Sequence, residues 1–261
     1  MTKVLLTQNQ LHVLEAAIAQ YGNLVTYEQI APFVPAGEEQ SKRRFVAQLV
    51  RSGWLVRIKK GVYQVADLTT LGTVTLSRYV VAGILAPDSY VSFESALQFH
   101  GLHNQLLRTT TSVALKQHSR LVLDGYSYQY VKTKEQFFFG FEQQTIDGQQ
   151  AQIATVEKAL IDLIQLHRTS YTVDRVTEVL ADESTGVDSL RLQEHLQHST
   201  LTTQRVFGLI FDKTGLPYRQ DLVQRSRSSL AASKVSADSQ EFDSKWRLYY
   251  DTKVFDRYTS V

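Results

Sequence analysis

Two closely spaced helix-start signals constrain the fold of the N-terminal region more than any other feature. Residues 7–10 and 26–29 each place a threonine hydroxyl three residues before a glutamine, which is the spacing of a capping box. Gly22 should end the first helix, while Pro32 and Pro35 should keep the second one short. Four apolar residues then recur at helical spacing and predict a first helix that runs to about Tyr21; they are Leu11, Leu14, Ala17 and Ile18.

A third helical segment and two short apolar segments complete this N-terminal pattern. The third helix is expected over about residues 38–52. Residues 54–58 and 62–65 have the composition of two strands, and the Lys-Lys-Gly sequence at 59–61 supplies the turn between them. Three helices followed by a hairpin are typical of the winged helix-turn-helix, a DNA-binding domain. The sequence predicts such a domain over residues 1–68.

The third helix separates into an apolar face and a polar face. At about 100° per residue, Phe45, Val46, Leu49 and Val50 fall on one side and should pack on the first helix. Arginine and glutamine can each make paired hydrogen bonds, to guanine and adenine respectively. The opposite face is therefore predicted to read bases in the major groove. Its members are Gln40, Ser41, Arg44, Gln48 and Arg51.

The charge distribution supports DNA as a partner. The formal net charge is only +2, so attraction to nucleic acid must come from local clustering. Between Ser41 and Gly61 there are seven basic residues and no acidic residue. Neutralising phosphates supplies most non-specific affinity for DNA. The predicted phosphate contacts are Arg43, Arg57, Lys59 and Lys60. The alternative is that these are solvated charges on a domain that binds a protein or nothing.

The remaining chain predicts a larger domain of mixed α and β structure over residues 73–261, after a linker at 67–72. The overall fold class is therefore α+β. This region should be helical over 155–215 and irregular over 217–244, where serine and alanine are frequent. Helices are expected over 74–86, 93–100, from Thr155 onwards, and over 173–180, 189–198 and 201–213. Strands are expected over 112–115, 121–123, 126–131, 137–139, 151–153 and 246–250.

Nothing in the sequence predicts an enzyme, a metal site or a cofactor. His100 and His103, like the second histidine pair at 195 and 198, lack a third ligand at a suitable spacing. Glu94 and Glu157 lie in first helical turns, where negative charge is favoured. Asp162 lies four residues after Lys158 and should form an ordinary helix pair. The phenylalanine-rich run at 137–141 is expected to be a buried strand rather than a contact patch for a partner or nucleic acid.

Composition predicts a cytoplasmic protein. The chain has no cysteine, which fits a reducing compartment and excludes disulfides and thiolate zinc sites. Its longest apolar stretch, at about 79–86, is far shorter than the ~20 residues of a membrane span. We therefore expect no membrane association.

Three segments, taken together, resemble one known family. Residues 57–63 read Arg-Ile-Lys-Lys-Gly-Val-Tyr, and residues 89–102 contain a helix that begins Ser-Phe-Glu-Ser-Ala-Leu and ends at His-Gly. Residues 153–163 read Ile-Ala-Thr-Val-Glu-Lys-Ala-Leu-Ile-Asp-Leu. In this order and spacing they resemble the AbiEi family of antitoxins and transcriptional regulators. Residues 246–248 are similar to the late strand of that family, whereas 217–244 match nothing in it.

The resemblance implies an antitoxin of a type IV toxin–antitoxin system, a form of abortive infection used in phage defence. It implies that the winged helix represses transcription from the protein's own promoter. The operator would be double-stranded DNA with inverted repeats, which requires two copies of the domain. It further implies that the C-terminal domain counteracts a nucleotidyltransferase-like toxin. The alternative is a winged-helix regulator, or a module for nucleic-acid or protein interaction, without antitoxin activity.

Overall fold

The fold has two separate hydrophobic cores, one for each part of the chain. The computed structural model describes residues 5–66, 76–123 and 125–258. A small core is built from residues between Val13 and Ala66, and a larger one from residues between Val80 and Phe255. Ile58 is an exception, since it comes from the N-terminal region but packs in the larger core. The chain is thus α+β, with N-terminal helices and a larger α/β part. The expected linker at 67–72 and the start of the helix at 74 lie outside the described residues.

The N-terminal region contains three α-helices and a three-stranded antiparallel sheet in the order β1-β3-β2. A 3-10 turn at Ala31–Phe33, which contains Pro32, follows the second helix. The arrangement is consistent with the expected winged helix-turn-helix. The elements are α1 (Gln8–Tyr21), β1 (Leu24–Thr26), α2 (Tyr27–Ile30), α3 (Glu39–Arg51), β2 (Leu55–Lys59) and β3 (Val62–Val65).

Both predicted capping boxes are present. At α1, the Thr7 amide donates to the Gln10 side chain at 3.0 Å, and the Gln10 amide donates to the Thr7 hydroxyl at 3.3 Å. The same reciprocal pair of bonds opens α2. Among the apolar residues of α1, Val13, Leu14 and Ala17 are fully buried, whereas Leu11 is 37% exposed. The buried face is thus rotated away from Leu11.

The C-terminal part is built around a six-stranded sheet with the strand order β6-β7-β5-β4-β9-β8. Strand β4 lies inside this sheet, antiparallel to β5 and parallel to β9. Helix α4 contacts the sheet, and α6 packs against α5, α7, α8 and α9. The elements are α4 (Arg78–Leu85), β4 (Ser89–Val91), α5 (Phe93–Phe99), β5 (Thr109–Ala114), β6 (Leu121–Leu123), β7 (Tyr126–Lys132), β8 (Phe141–Ile146), β9 (Gln149–Ala154), α6 (Val156–Leu166), α7 (Ser170–Ala181), α8 (Ser189–Leu196) and α9 (Leu201–Thr214).

The end of the chain adds a helix and a second, small sheet of order β10-β12-β11. These elements lie largely within 217–244, where no regular structure is expected from sequence. Buried Arg205 of α9 organises this segment by donating hydrogen bonds to the carbonyls of Ser226, Ser229 and Ala231. The elements are α10 (Gln220–Ser226), β10 (Ser233–Lys234), β11 (Glu241–Asp243) and β12 (Leu248–Tyr250).

The predicted strand at 137–139 is wrong. Residues Glu135–Phe137 form a 3-10 turn, and Gly140 reverses the chain with a φ of 73° before β8 begins at Phe141. The run is only partly buried: Phe138 and Phe141 pack on Tyr90, with ring centroids 5.1 and 4.6 Å away. Phe138 therefore packs from the segment between the 3-10 turn and Gly140, and Phe141 packs from β8.

Substitution by alanine should have opposite effects on stability at two helical glycines. A Cβ on Gly208 of α9 would lie 2.3 Å from the Trp246 ring, whereas a Cβ on Gly83 of α4 would meet nothing within 4 Å. Trp246 is fully buried and cannot move aside. We expect Gly208→Ala to lower the free energy of unfolding by about 1–3 kcal/mol. Gly83→Ala should raise it by about 0.5–1 kcal/mol. Urea denaturation measures both, and an unchanged midpoint for Gly208→Ala would show that this contact is looser than described.

Candidate nucleic-acid interface

Helix α3 and the β2–β3 hairpin enclose an open groove of about 630 Å³. Tyr27 and Tyr63 contribute aromatic side chains to its lining, together with the small Ala47. Glu28 adds one acidic side chain to the lining. Four basic side chains also line it: Arg43, Arg51, Arg57 and Lys60. The groove therefore brings cations from the helix and from the hairpin onto one surface.

The residues predicted to face bases lie on the outward side of α3. Gln40, Arg44, Gln48 and Arg51 are exposed, and Ser41 is half-buried. Val46 and Leu49 lie on the opposite side and are buried in the small core, with Phe45 and Val50 partly buried around them. Arg51 lines the groove, whereas the other four predicted residues continue the same helix surface beyond it.

The charges on this surface differ in how far they are compensated. Arg43 forms an ion pair with Glu39 at 3.1 Å and lies 5.8 Å from the centre of the Tyr27 ring. Within the described part of the chain, Arg44, Arg51, Arg57 and Lys60 have no ion-pair partner. These four cations are therefore free to meet an external anion.

Lys59 differs from its predicted role as a phosphate contact. Its Nζ donates to the carbonyl oxygen of Ile84 in α4, at 2.5 Å. The pairing of β2 with β3 shifts register between Arg57 and Lys59, as at a β-bulge. A bulge re-aims the side chains around it, and here Ile58 enters the larger core, only 3% exposed. Lys59 thus fastens the hairpin to the C-terminal part instead of facing the groove.

A buried polar cluster in the C-terminal part was not expected from sequence. Lys158 and Asp162 do form a pair, but it is fully buried and is not an ordinary surface pair. Asp162 also accepts hydrogen bonds from the Tyr90 hydroxyl at 3.0 Å and the Ser92 hydroxyl at 2.7 Å. Burial, and next the charge of Asp162, raise the pKa of Tyr90 well above its usual value. Only the i, i+4 spacing of Lys158 and Asp162 signalled any part of this cluster.

Glu157, His100 and His195 make contacts within the C-terminal part. Glu157 is buried and accepts a hydrogen bond from the Asp188 amide at 3.0 Å, just before α8. His100 contacts the carbonyl oxygen of Ala154 at 2.8 Å, and the ring of His195 lies against Phe139. Burial lowers the pKa of His195. No group of three or more acidic or histidine side chains in the described ranges has the arrangement of a metal site.

The N-terminal region matches the model of a known protein family. Residues 12–66 match the family model described as "Transcriptional regulator, AbiEi antitoxin". Over these residues, the chain is similar to AbiEi transcriptional regulators. The match contains α3 and the hairpin, and therefore the groove between them. It confirms the resemblance to the AbiEi family, although only the motif at 57–63 lies within the matched residues. The similar motifs at 89–102 and 153–163 lie outside the AbiEi match.

A solved structure resembles the entire chain. The RV2827C protein from Mycobacterium tuberculosis superposes with a TM-score of 0.68 at 15% sequence identity. The alignment covers 97% of this chain and 95% of that one. At this identity the likeness concerns the fold, which the two proteins share over both parts. No curated protein sequence matches the chain significantly. Among the described helices, none is long and apolar enough to cross a membrane.

Adjacent lysines in the hairpin provide a matched test of the interface. Lys60→Met should weaken binding to any double-stranded DNA and flatten the slope of log K against log salt concentration by about 0.9, the value for one lost phosphate contact. Lys59→Met should leave that slope unchanged, because Lys59 is bonded to Ile84. Fluorescence anisotropy over a salt series measures both slopes. Equal flattening by the two substitutions would show that Lys59 also faces DNA.

Proposed function

We propose that residues 5–66 form a winged helix-turn-helix domain that binds operator DNA and represses transcription from the protein's own promoter. The observation that carries this proposal is the uncompensated positive charge of Arg44, Arg51, Arg57 and Lys60 around α3 and the hairpin. Phosphates are the natural partners of such charges. The AbiEi match over the same residues supports the role of a transcriptional regulator.

Helix α3 is the proposed recognition helix. Arg44 and Arg51 are seven residues apart, which is about two turns or roughly 10 Å along one helix face. The exposed Ala47 lies between them and is small enough to let the helix approach a groove. Each arginine can donate two hydrogen bonds to the major-groove edge of a guanine. Gln40, Ser41 and Gln48 extend the proposed base-reading surface.

The hairpin is the proposed wing, and its cations hold the DNA backbone. Arg57 and Lys60 lie across the groove from α3, so they suit phosphates flanking the site that α3 reads. Arg43 contributes more weakly, because Glu39 already compensates its charge. Lys59 has no place in this interface.

Binding to DNA upstream of the gene, measured by gel shift, tests the repressor role. We expect Arg44→Ala and Arg51→Ala each to weaken specific binding by about 1–3 kcal/mol, or roughly 5- to 150-fold. The control is Arg225→Ala in α10, which removes an arginine paired to Asp221 at 3.2 Å and should bind like the unaltered protein. Binding that does not depend on sequence, or that survives both α3 substitutions, would refute the proposed reading of bases.

We further propose that the C-terminal part counteracts a nucleotidyltransferase-like toxin, as an antitoxin of a type IV system in the cytoplasm. The supporting observations are the antitoxin description of the AbiEi family and the separate core of residues 80–255. Repression at an inverted repeat would require two copies of the chain on the DNA. Direct contact with the toxin is not required by this proposal.

Full-length variants can separate the two proposed activities. The Arg44→Ala/Arg51→Ala double variant should lose promoter repression yet still restore growth when co-expressed with a nucleotidyltransferase-like toxin encoded beside it. The Arg225→Ala control should retain both activities. Loss of growth rescue in the double variant, at equal protein level, would place neutralisation in the N-terminal region instead.

The alternative function is a regulator without antitoxin activity. The match to the AbiEi model favours it in one respect, since it covers only residues 12–66 and leaves the C-terminal part unmatched. Specific operator binding, combined with no growth rescue by the unaltered protein, would establish this alternative.

A further inference from the structure

The small C-terminal sheet carries an open row of one lysine and two aromatic side chains. The strand pairing aligns Lys234 of β10 with Tyr249 of β12, and Tyr249 with Phe242 of β11. The Lys234 ammonium lies 5.3 Å from the centre of the Tyr249 ring, and the Tyr249 and Phe242 rings are 4.9 Å apart. Phe242 is 48% exposed. We call these three residues the aromatic row.

The pleat of the sheet separates this row from the core. Successive residues of a strand point to opposite faces. Leu248 is fully buried and the Tyr250 ring contacts Phe255 of the core, so Tyr249 points outward between them. The carboxylates of Glu241 and Asp243 flank Phe242 in β11 and therefore point away from the row.

The row itself contains one positive charge, that of Lys234, and no carboxylate. Lys234 is exposed at one end of it. Arg168 supports the backbone of the edge strand β10, because its Nε donates to the carbonyl oxygens of Lys234 at 3.1 Å and Val235 at 3.2 Å. Two neighbouring rings beside one exposed lysine suit a ligand with flat apolar groups joined by anionic links. A single strand of nucleic acid has this chemistry, because bases stack on aromatic rings and phosphates meet lysine or arginine.

The dimensions favour a short nucleic-acid segment over a protein. Lys234 and Phe242 lie on strands separated by one strand, so they are roughly 10 Å apart. That distance accommodates a base on Phe242 and a neighbouring phosphate at Lys234. A stable protein interface buries about 800 Å² on each partner, far more than three side chains provide.

We propose that the aromatic row binds unpaired nucleotides of a single-stranded nucleic acid, with Phe242 stacking on a base and Lys234 contacting a phosphate. This site is distinct from the double-stranded DNA interface of α3 and the hairpin. The aromatic row would give the C-terminal part a ligand of its own. Its binding of single strands and the repressor role of α3 can therefore be tested, and can fail, independently of each other.

Binding of fluorescein-labelled ten-nucleotide oligo(U) and oligo(dT) to the full chain, measured by anisotropy at low salt, tests this proposal. Phe242→Ala should weaken binding by roughly tenfold, as expected for loss of one stacked base. Lys234→Met should flatten the salt slope by about 0.7, the value for one phosphate contact to a single strand. Leu230→Ala removes an apolar side chain that is 82% exposed and outside the row, so it should bind like the unaltered protein.

The two oligonucleotides also distinguish the kind of strand. Tighter binding of oligo(U) would identify RNA through its 2′-hydroxyls, and equal binding would identify any unpaired strand; both results support the site. The proposal is overturned if neither oligonucleotide binds, or if Phe242→Ala binds as well as Leu230→Ala. It is also overturned if Arg44→Ala/Arg51→Ala abolishes oligonucleotide binding, because the site would then lie on α3.

Discussion

The contacts of the buried Asp162 carboxylate connect helix α6 to the six-stranded sheet. This carboxylate is fully buried in α6 and is neutralised by Lys158 one turn earlier in the same helix. Its second oxygen accepts hydrogen bonds from Tyr90 and Ser92, at the end of β4. An unpaired buried charge costs several kcal/mol, and Lys158, Tyr90 and Ser92 together remove that cost for Asp162. They thereby fix α6 against the middle of the six-stranded sheet.

This cluster also explains why two separated sequence motifs occur together. Tyr90 and Ser92 belong to the motif at 89–102, while Lys158 and Asp162 belong to the motif at 153–163. Both motifs meet at one point in space, and their polar residues satisfy one another. In this chain they join α6 to β4. The hairpin packs on the same C-terminal part. Ile58 packs into the same large core and Lys59 bonds to α4, so the surface proposed to meet DNA is anchored at one end on the C-terminal part.

Local signals in the sequence predicted much of the fold, whereas contacts between distant segments escaped it. Capping boxes at Thr7 and Thr26 depend on residues three positions apart, and both are present. The burial of Lys158 depends on β4, some 70 residues earlier, and helical spacing alone makes it an ordinary pair. A basic hairpin tip next to a basic helix predicts Lys59 as a phosphate contact, but a bulge and the distant carbonyl of Ile84 redirect its side chain. Arg205 likewise orders a segment whose composition predicts irregular structure.

Helix α3 is proposed to read bases in the major groove through Arg44 and Arg51. Interference by guanine methylation tests it most directly, because methylation at N7 blocks the major-groove edge that arginine contacts. On the operator, methylation of particular guanines should prevent binding of the unaltered protein. Arg44→Ala should become insensitive at one of those guanines and stay sensitive at the others. Binding that tolerates methylation of every guanine, or an identical pattern for Arg44→Ala, would contradict the proposed contacts between these arginines and guanine.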